Sequence, residues 1–319
     1  MLKVRELVGR ADAAADGASA PPGLWVDLSE ADEAEIKDAE RRIGAMLPGE
    51  IHDTSLEPSR RLRDEGERLT LTVTLPPSVA GTVGDHVSFV LFANSLVTLR
   101  SAGTQPFVIA NPHTIDEDLE VGGACDALLH IFETIIAVAA DRLEELAAEI
   151  EEDTGHVFDP SRGKRRRSTR IEQLLSKLGD QGTRLLKQRE CLAGLARTIL
   201  FLRRRAGTTL VPNAARERLE VLHQDVKALA EHAASLDAKI AFLLDAVLGL
   251  VSLDQNDIAK MLSVTAAIFL PPTLISSIYG MNFRIMPDLG WQWGFYFTIG
   301  VMFASAAVTW GIFRWRRWL

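Results

Sequence analysis

The sequence predicts an α/β domain followed by a long α-helical stalk and two transmembrane helices. Three observations predict it. Up to about residue 122, short runs of alternating apolar and polar residues are separated by turn residues, as in a small sheet with one helix among its strands. Over residues 219–250 the apolar positions alternate three- and four-residue steps for more than four heptads, the rhythm of a coiled-coil seam. Near the C-terminus, residues 261–283 and 289–313 contain no Asp, Glu, Lys, Arg or His. At 1.5 Å per residue the first of these runs covers roughly 34 Å, enough to cross a bilayer.

Residues 1–122 form the α/β domain. Trp25, Val26, Asp27 and Leu28 read as a strand, and Ser29 reads as the N-cap of a helix running to about Leu47, with Glu30 and Asp32 in its positive first turn. Threonines alternate with apolar residues over 69–75, and runs 86–92 and 96–100 flank an Asn94-Ser95 turn, so hairpins are expected.

Residues 123–260 read as a helical hairpin and coiled-coil stalk, broken near 155–167 and 207–212. Helices over 168–206 and 213–260 would be about 58 and 72 Å long. If three helices run up, down and up, the basic tip of Arg165, Arg166 and Arg167 lies near the headgroups, and contact with anionic lipid or a neighbouring subunit's acids is expected. The seam comprises Leu219, Leu222, Val226, Leu229, Ala233, Leu236, Ile240, Leu243, Val247 and Leu250. Its partner can be the preceding helix, another subunit or both; periodicity leaves that open.

Residues 261–283 are the first transmembrane helix, 284–292 an outer loop, 293–313 the second transmembrane helix and 314–319 a basic tail. Arg314, Arg316 and Arg317 after the second span place the C-terminus in the cytosol, and two spans return the N-terminus to the same side. A multi-pass protein of the inner (plasma) membrane is expected.

A second stripe, offset from the seam, keeps the same rhythm: Asp245, Gly249, Ser252, Asn256, Ala259, Ser263, Ala266, Leu270, Thr273, Ser277, Gly280. Small residues at helical spacing ordinarily mean close helix packing. This stripe, however, continues from the stalk through the span to the neighbourhood of Asn282. A water-filled lumen on a symmetry axis accounts for both its polarity and its length.

Charge and motifs narrow the function classes. Of 35 basic and 43 acidic residues, only Arg284, Arg314, Arg316, Arg317 and Asp288 lie beyond residue 260, so the preceding chain carries 31 basic against 42 acidic residues, a net of −11. That balance disfavours nucleic acid and suits cations. There is no nucleotide-binding glycine loop, since Gly163-Lys164 has Phe158 where the first glycine would stand, and no H-E-x-x-H. Cys125 and Cys191 lack metal or redox spacing and are expected as reduced core residues.

Tyr279-Gly280-Met281-Asn282-Phe283, the loop Met286-Pro287-Asp288-Leu289 with Trp291, and the terminal Arg314-Trp315-Arg316-Arg317-Trp318-Leu319 together resemble the CorA family of divalent-metal channels. The resemblance implies a CorA-like funnel, a homopentamer, and a non-enzymatic cation channel driven by membrane potential. Mg²⁺ is the implied ion, with Co²⁺ or Ni²⁺ possible cargo and no organic cofactor. Gly280, Met281 and Asn282 are implied as the selectivity filter. Asp245, Ser252, Asn256, Ser263, Thr273 and Ser277 would line the pore, with Ala259, Leu262 and Leu270 as its gate. Relatives carry a bulky Met at the Ala259 position, so the gate is expected to be wider there or displaced. In the outer loop Arg284 replaces the first of two acids and leaves Asp288 alone. Cytosolic Mg²⁺ would regulate opening through Glu217, Glu220 and Asp225, and Arg314, Arg316 and Arg317 would form a basic ring. The alternatives are a Zn²⁺ transporter of the same superfamily and a membrane-anchored coiled-coil scaffold.

Overall fold

The computed structural model describes residues 2–7, 23–48, 61–75, 85–100, 123–158, 167–281 and 293–316. It divides into two compact units, Met1–Arg165 with Glu172–Leu244, and Arg166–Ile171 with Asp245–Leu319.

In the first unit, strands β1 (Leu2–Leu7), β2 (Gly23–Ser29), β3 (Leu62–Asp64), β4 (Arg68–Leu75), β5 (Asp85–Phe92) and β6 (Ser95–Arg100) form one sheet ordered β1-β2-β6-β5-β4-β3. The β2–β6 pair is parallel, with Asp27 opposite Thr98; every other neighbouring pair is antiparallel. Parallel pairing needs a crossover, and the intervening chain supplies helix α1 (Glu33–Ile43) and the strands β3 to β5.

Helix α1 begins later than the sequence predicts. Ser29 is the last residue of β2, paired with Arg100 in the ladder, so it cannot serve as the cap. Asp32 caps instead: its carboxylate accepts from Glu35 N at 2.7 Å, and Glu35 Oε2 accepts from Asp32 N at 3.3 Å. Gly44, at φ 74, closes the helix in the left-handed conformation.

One sheet face packs Val26, Leu28, Val90, Val97 and Leu99 against Ala39, Ile36 and Ile43 of α1. The other meets helix α2 (Ala124–Phe158), where Phe89 and Phe132 stand edge to face with ring centroids 5.4 Å apart. Within the sheet, buried Asp27 accepts from Thr98 Oγ1 at 2.7 Å and from Arg100 Nη2 at 2.9 Å and Nε at 3.1 Å. Trp25 Nε1 in turn donates to Thr98 Oγ1 at 3.3 Å. A charge carried this deep survives because each oxygen is met by a donor.

Helix α3 (Arg167–Arg204) and the first part of α4 (Ala215–Tyr279) complete a three-helix bundle with α2. Cross-links fix its directions. Asp153 of α2 accepts from Lys177 Nζ and Gln181 Nε2 of α3, both at 2.8 Å, and Glu149 pairs with Arg184, so α2 and α3 are antiparallel. Arg189 meets Asp237 at 2.6 Å and Arg203 meets Glu220, so α4 runs antiparallel to α3; Arg218–Glu133 and Lys239–Glu151 make it parallel to α2. The up, down, up order expected from the sequence is therefore present in this unit. Gly155, expected at a break, lies inside α2. The turn before α4 needs Gly207 at φ 102, where an added Cβ would stand 3.0 Å from Asn213 Oδ1.

The seam packs as its spacing requires. Leu219, Leu222, Val226, Ala233, Leu236, Ile240, Leu243 and Val247 are buried, and Leu229 and Leu250 half-buried. The ion pairs just named make α2 and α3 of the same chain its partners in this unit. Burial also pushes the thiols of Cys125 and Cys191 up to about 12, as befits inert core cysteines.

The second unit holds the end of α4 and helix α5 (Gly294–Trp315). α4 is one continuous helix of 65 residues, so the uncharged run beginning at Met261 is its last part, not a helix of its own. Among the described residues, α5 is the one helix long and apolar enough by itself to cross a membrane.

Candidate functional site

The stripe begins at Asp245 and follows α4 to its C-terminal end. All eleven of its positions, from Asp245 to Gly280, are exposed in the isolated chain. Over about 52 Å of helix it presents a carboxylate, hydroxyls, an amide and small residues, interrupted at Leu270, which is 71% exposed. Leu262, beside the stripe, is likewise uncovered, so the three residues expected as a gate, Ala259, Leu262 and Leu270, all stand free in the protomer.

Two hydroxyls on this stripe, those of Ser263 and Thr273, are oriented by the helix itself. Ser263 Oγ donates to Ala259 O at 2.8 Å and Thr273 Oγ1 donates to Phe269 O at 2.7 Å. Each hydroxyl has a single proton, so these two side chains turn oxygen lone pairs outward. Such groups receive hydrogen bonds from the water shell of a cation. At the end of α4, Gly280 N donates to Ser276 O at 2.9 Å, and an added Cβ at Gly280 would lie 3.2 Å from that same oxygen. The helix closes tightly there, and Met281 follows it at half exposure.

Away from the stripe, Val264 is buried and Ala267, Ile268, Pro271, Pro272 and Ile275 are half-buried, which defines one covered flank of α4. α5 is covered along Gly294, Thr298, Met302, Ser305, Thr309 and Phe313, at three- and four-residue steps. Its uncovered side is aromatic, with Phe295 70%, Phe303 75% and Trp315 86% exposed. A helix in water hides its large apolar residues and shows its small polar ones. α5 does the reverse, as a helix solvated by lipid does.

In the first unit, Glu217 and Asp225 line a groove of about 400 Å³ together with Glu133, Ala214, Arg218, Val221 and Leu222. Glu220 does not join them; it pairs with Arg203 of α3. Sequence spacing had given no sign of Glu133, which reaches this groove from α2, 85 residues before Arg218. The His130 ring and the Arg218 guanidinium beside Glu133 hold its carboxyl below the usual carboxylate range against the opposing effect of burial. Among the described residues no group of three or more His, Cys, Asp or Glu is set to hold a metal ion.

Asn282, Arg284, Asp288, Arg317, Arg165 and Arg166 lie outside the described residues, as does the side chain of Arg167. Arg314 and Arg316 are exposed at the end of α5.

The sequence model of the family described as "CorA-like Mg2+ transporter protein" matches residues 23–316. The magnesium transport protein CorA of Yersinia pseudotuberculosis serotype I is 30% identical over 301 residues, covering 93% of this chain and 92% of that protein. The magnesium transport protein CorA of Pasteurella multocida is 31% identical over 298 residues, with coverage of 93% and 92%. Among solved structures, the complete CorA magnesium transporter of Methanocaldococcus jannaschii matches with a TM-score of 0.73 at 20% identity, covering 95% of this chain and 94% of that one.

Proposed function

The chain belongs to the family of CorA-like Mg²⁺ transporters, and from that premise we propose that it is an inner-membrane channel admitting Mg²⁺ under the membrane potential. It is a divalent-cation transporter and not an enzyme. The observation that carries the channel reading is the uninterrupted exposure of the stripe from Asp245 to Gly280. A face of hydroxyl, amide and small groups is out of place against lipid, and copies arranged about an axis give it water instead.

In this reading five copies surround the axis, each contributing the end of α4 and α5 as two spans, with both termini in the cytosol. Mg²⁺ is small, hard and slow to lose its waters, and it binds through oxygen. Asn256, Thr273, Ser252, Ser263 and Ser277 meet its hydration shell without stripping it, and Asp245 supplies negative charge at the inner end. Gly280, Met281 and Asn282 form the filter at the outer mouth, Leu262 and Leu270 the narrow apolar levels, and Ala259 a wider one. A potential of 100 mV, negative inside, contributes roughly 4.6 kcal/mol to the entry of a divalent cation. No nucleotide is required.

Cytosolic Mg²⁺ closes the channel at the acids of the stalk. The groove lined by Glu217 and Asp225 supports that role for these two, while Glu133 is engaged by Arg218 and Glu220 by Arg203. Arg314, Arg316 and Arg317 ring the inner end.

The test is flux into proteoliposomes read with a Mg²⁺-sensitive dye. Flux that disappears in Asn282→Ala supports the channel; intact protein without flux supports a membrane-anchored scaffold. Zn²⁺, Co²⁺ and Ni²⁺ run in parallel, with and without a proton gradient, decide the ion. Arg284 in the outer loop favours weaker concentration of cations at the mouth, and Zn²⁺ carried in preference to Mg²⁺ would overturn the magnesium assignment.

A further inference from the structure

On α5, Tyr296, Phe303 and Trp310 recur at seven-residue spacing and therefore lie along one line of the helix, drifting only about 20° per heptad. Arg314, one turn beyond Trp310, extends the line. All four are exposed, the aromatic residues by 67%, 75% and 48% respectively. The line lies away from the covered flank of Thr298, Met302, Ser305 and Thr309.

Its chemistry is graded. Tyr296 puts a phenol at one end, within a ring cluster that includes Trp293 and Phe295, with centroids 6.0 and 5.6 Å away. Phe303, in the middle, carries no polar atom. At the other end the guanidinium carbon of Arg314 stands 5.4 Å from the centroid of the Trp310 ring. Among the described residues no carboxylate is paired with it. A guanidinium has five N–H donors, so one held over a ring by its charge still has N–H groups to offer a two-oxygen acceptor. From Tyr296 to Arg314 the helix rises about 27 Å, close to the roughly 30 Å of a hydrocarbon core.

We propose that this line is a docking surface for an anionic phospholipid, whose acyl chains lie along Phe303 and whose phosphate is held by Arg314 over Trp310. Charge complementarity selects this occupant: an exposed cation with no carboxylate paired to it among the described residues sits at the end of an apolar track of membrane length. A soluble phosphate would engage Arg314 and leave the track uncovered. A helix from another protein would cover the track, and to meet the guanidinium it would have to bring a carboxylate to the same level. The proposal concerns the uncovered flank of α5 and is independent of the stripe on α4.

The test uses the full-length chain reconstituted in nanodiscs containing equal parts phosphatidylglycerol and phosphatidylcholine, released into detergent, with retained lipids counted by native mass spectrometry. Phosphatidylglycerol is expected to be retained in preference to phosphatidylcholine. Arg314→Gln should reduce that retention about five-fold, the effect of one basic residue at an anionic surface. Trp310→Leu should reduce it too, and Arg314→Lys should fall between wild type and Arg314→Gln. Arg316→Gln changes a cation two positions on, on the opposite side of the helix, and should leave retention unchanged. Millimolar inorganic phosphate should not displace the lipid. Equal retention of both lipids by wild type overturns the proposal. So does undiminished retention by Arg314→Gln, or displacement by inorganic phosphate. If Arg314→Gln fails to assemble, the ordering of wild type, Arg314→Lys and Arg316→Gln decides.

Discussion

Arg218 on α4 grips Glu133 on α2, with Nη2 2.8 Å from Oε1, while its Nη1 lies 3.3 Å from Asp126 Oδ1. A resident cation thus occupies the groove that Glu217 and Asp225 line. Arg218→Gln should make those carboxylates easier for a metal to claim, so flux into proteoliposomes should close at an internal Mg²⁺ concentration about three-fold lower, as befits a half-exposed ion pair. The double substitution Glu217→Ala/Asp225→Ala should move the closing concentration upward. A shift in the opposite direction for either variant would remove these acids from the sensor.

The link between Glu133 and Arg218 also predicts a pH dependence. The carboxyl of Glu133 is held below the usual range by His130 and Arg218. A depressed carboxyl contributes stability that is fully present above its unfolded-state value and is lost as pH falls through its lower folded value. The bundle should therefore begin to lose this contribution as pH falls into the usual glutamate range and should have lost it once pH passes the lower folded value. Thermal melts of wild type and Glu133→Gln should differ at neutral pH and converge in strong acid.

Thr273 and Thr265 give a matched pair. Both donate to the carbonyl one turn back, at 2.7 Å to Phe269 and 2.8 Å to Met261, but only Thr273 belongs to the stripe. Thr273→Val should lower Mg²⁺ flux about five-fold, the worth of one hydrogen bond at a narrow level. Thr265→Val should leave flux near wild type. Equal effects on flux would mean that the hydroxyls matter to the helix and not to the ion.

The sheet depends on Asp27 and Arg100, both almost wholly buried as side chains and 2.9 Å apart. Arg100→Met leaves Asp27 charged and buried with Thr98 alone, a change that costs about 3 to 5 kcal/mol. Thermal unfolding in detergent should show the first unit destabilised. Thr98→Val removes a neutral donor to Asp27 and the acceptor of the Trp25 indole N–H, and should cost about 1 to 3 kcal/mol. An Arg100→Met variant as stable as wild type would show that the carboxylate finds another partner.

What could be read from the chain was periodic, and what could not was long-range. The 3-4 rhythm from Leu219 to Leu250 maps directly onto burial because side-chain direction in a helix repeats with sequence. The stripe from Asp245 to Gly280 was legible for the same reason. The identity of the seam's partners was not, since the ion pair Arg218–Glu133 joins residues 85 apart with no local pattern. Ser29 looked like a cap because the amino-acid type fits, and its engagement in a parallel ladder with Arg100 has no local signature. β1 escaped the sequence reading because Lys3, Arg5 and Glu6 weaken its apolar pattern, which an edge strand tolerates. The pairing of Glu220, one of the acids expected to sense Mg²⁺, with Arg203 of α3 likewise has no local signature.

The bent-back hydroxyls of Ser263 and Thr273 carry one more implication. Chloride and bicarbonate are held by hydrogen-bond donors, and at these two levels the protons that could serve them already belong to Ala259 and Phe269. A lumen built on this stripe is thus inhospitable to anions there without placing any fixed charge beside the permeating cation. Rejection of the wrong sign at these two levels then leaves no carboxylate there to release the ion afterwards; the stripe's carboxylate, Asp245, lies at its inner end.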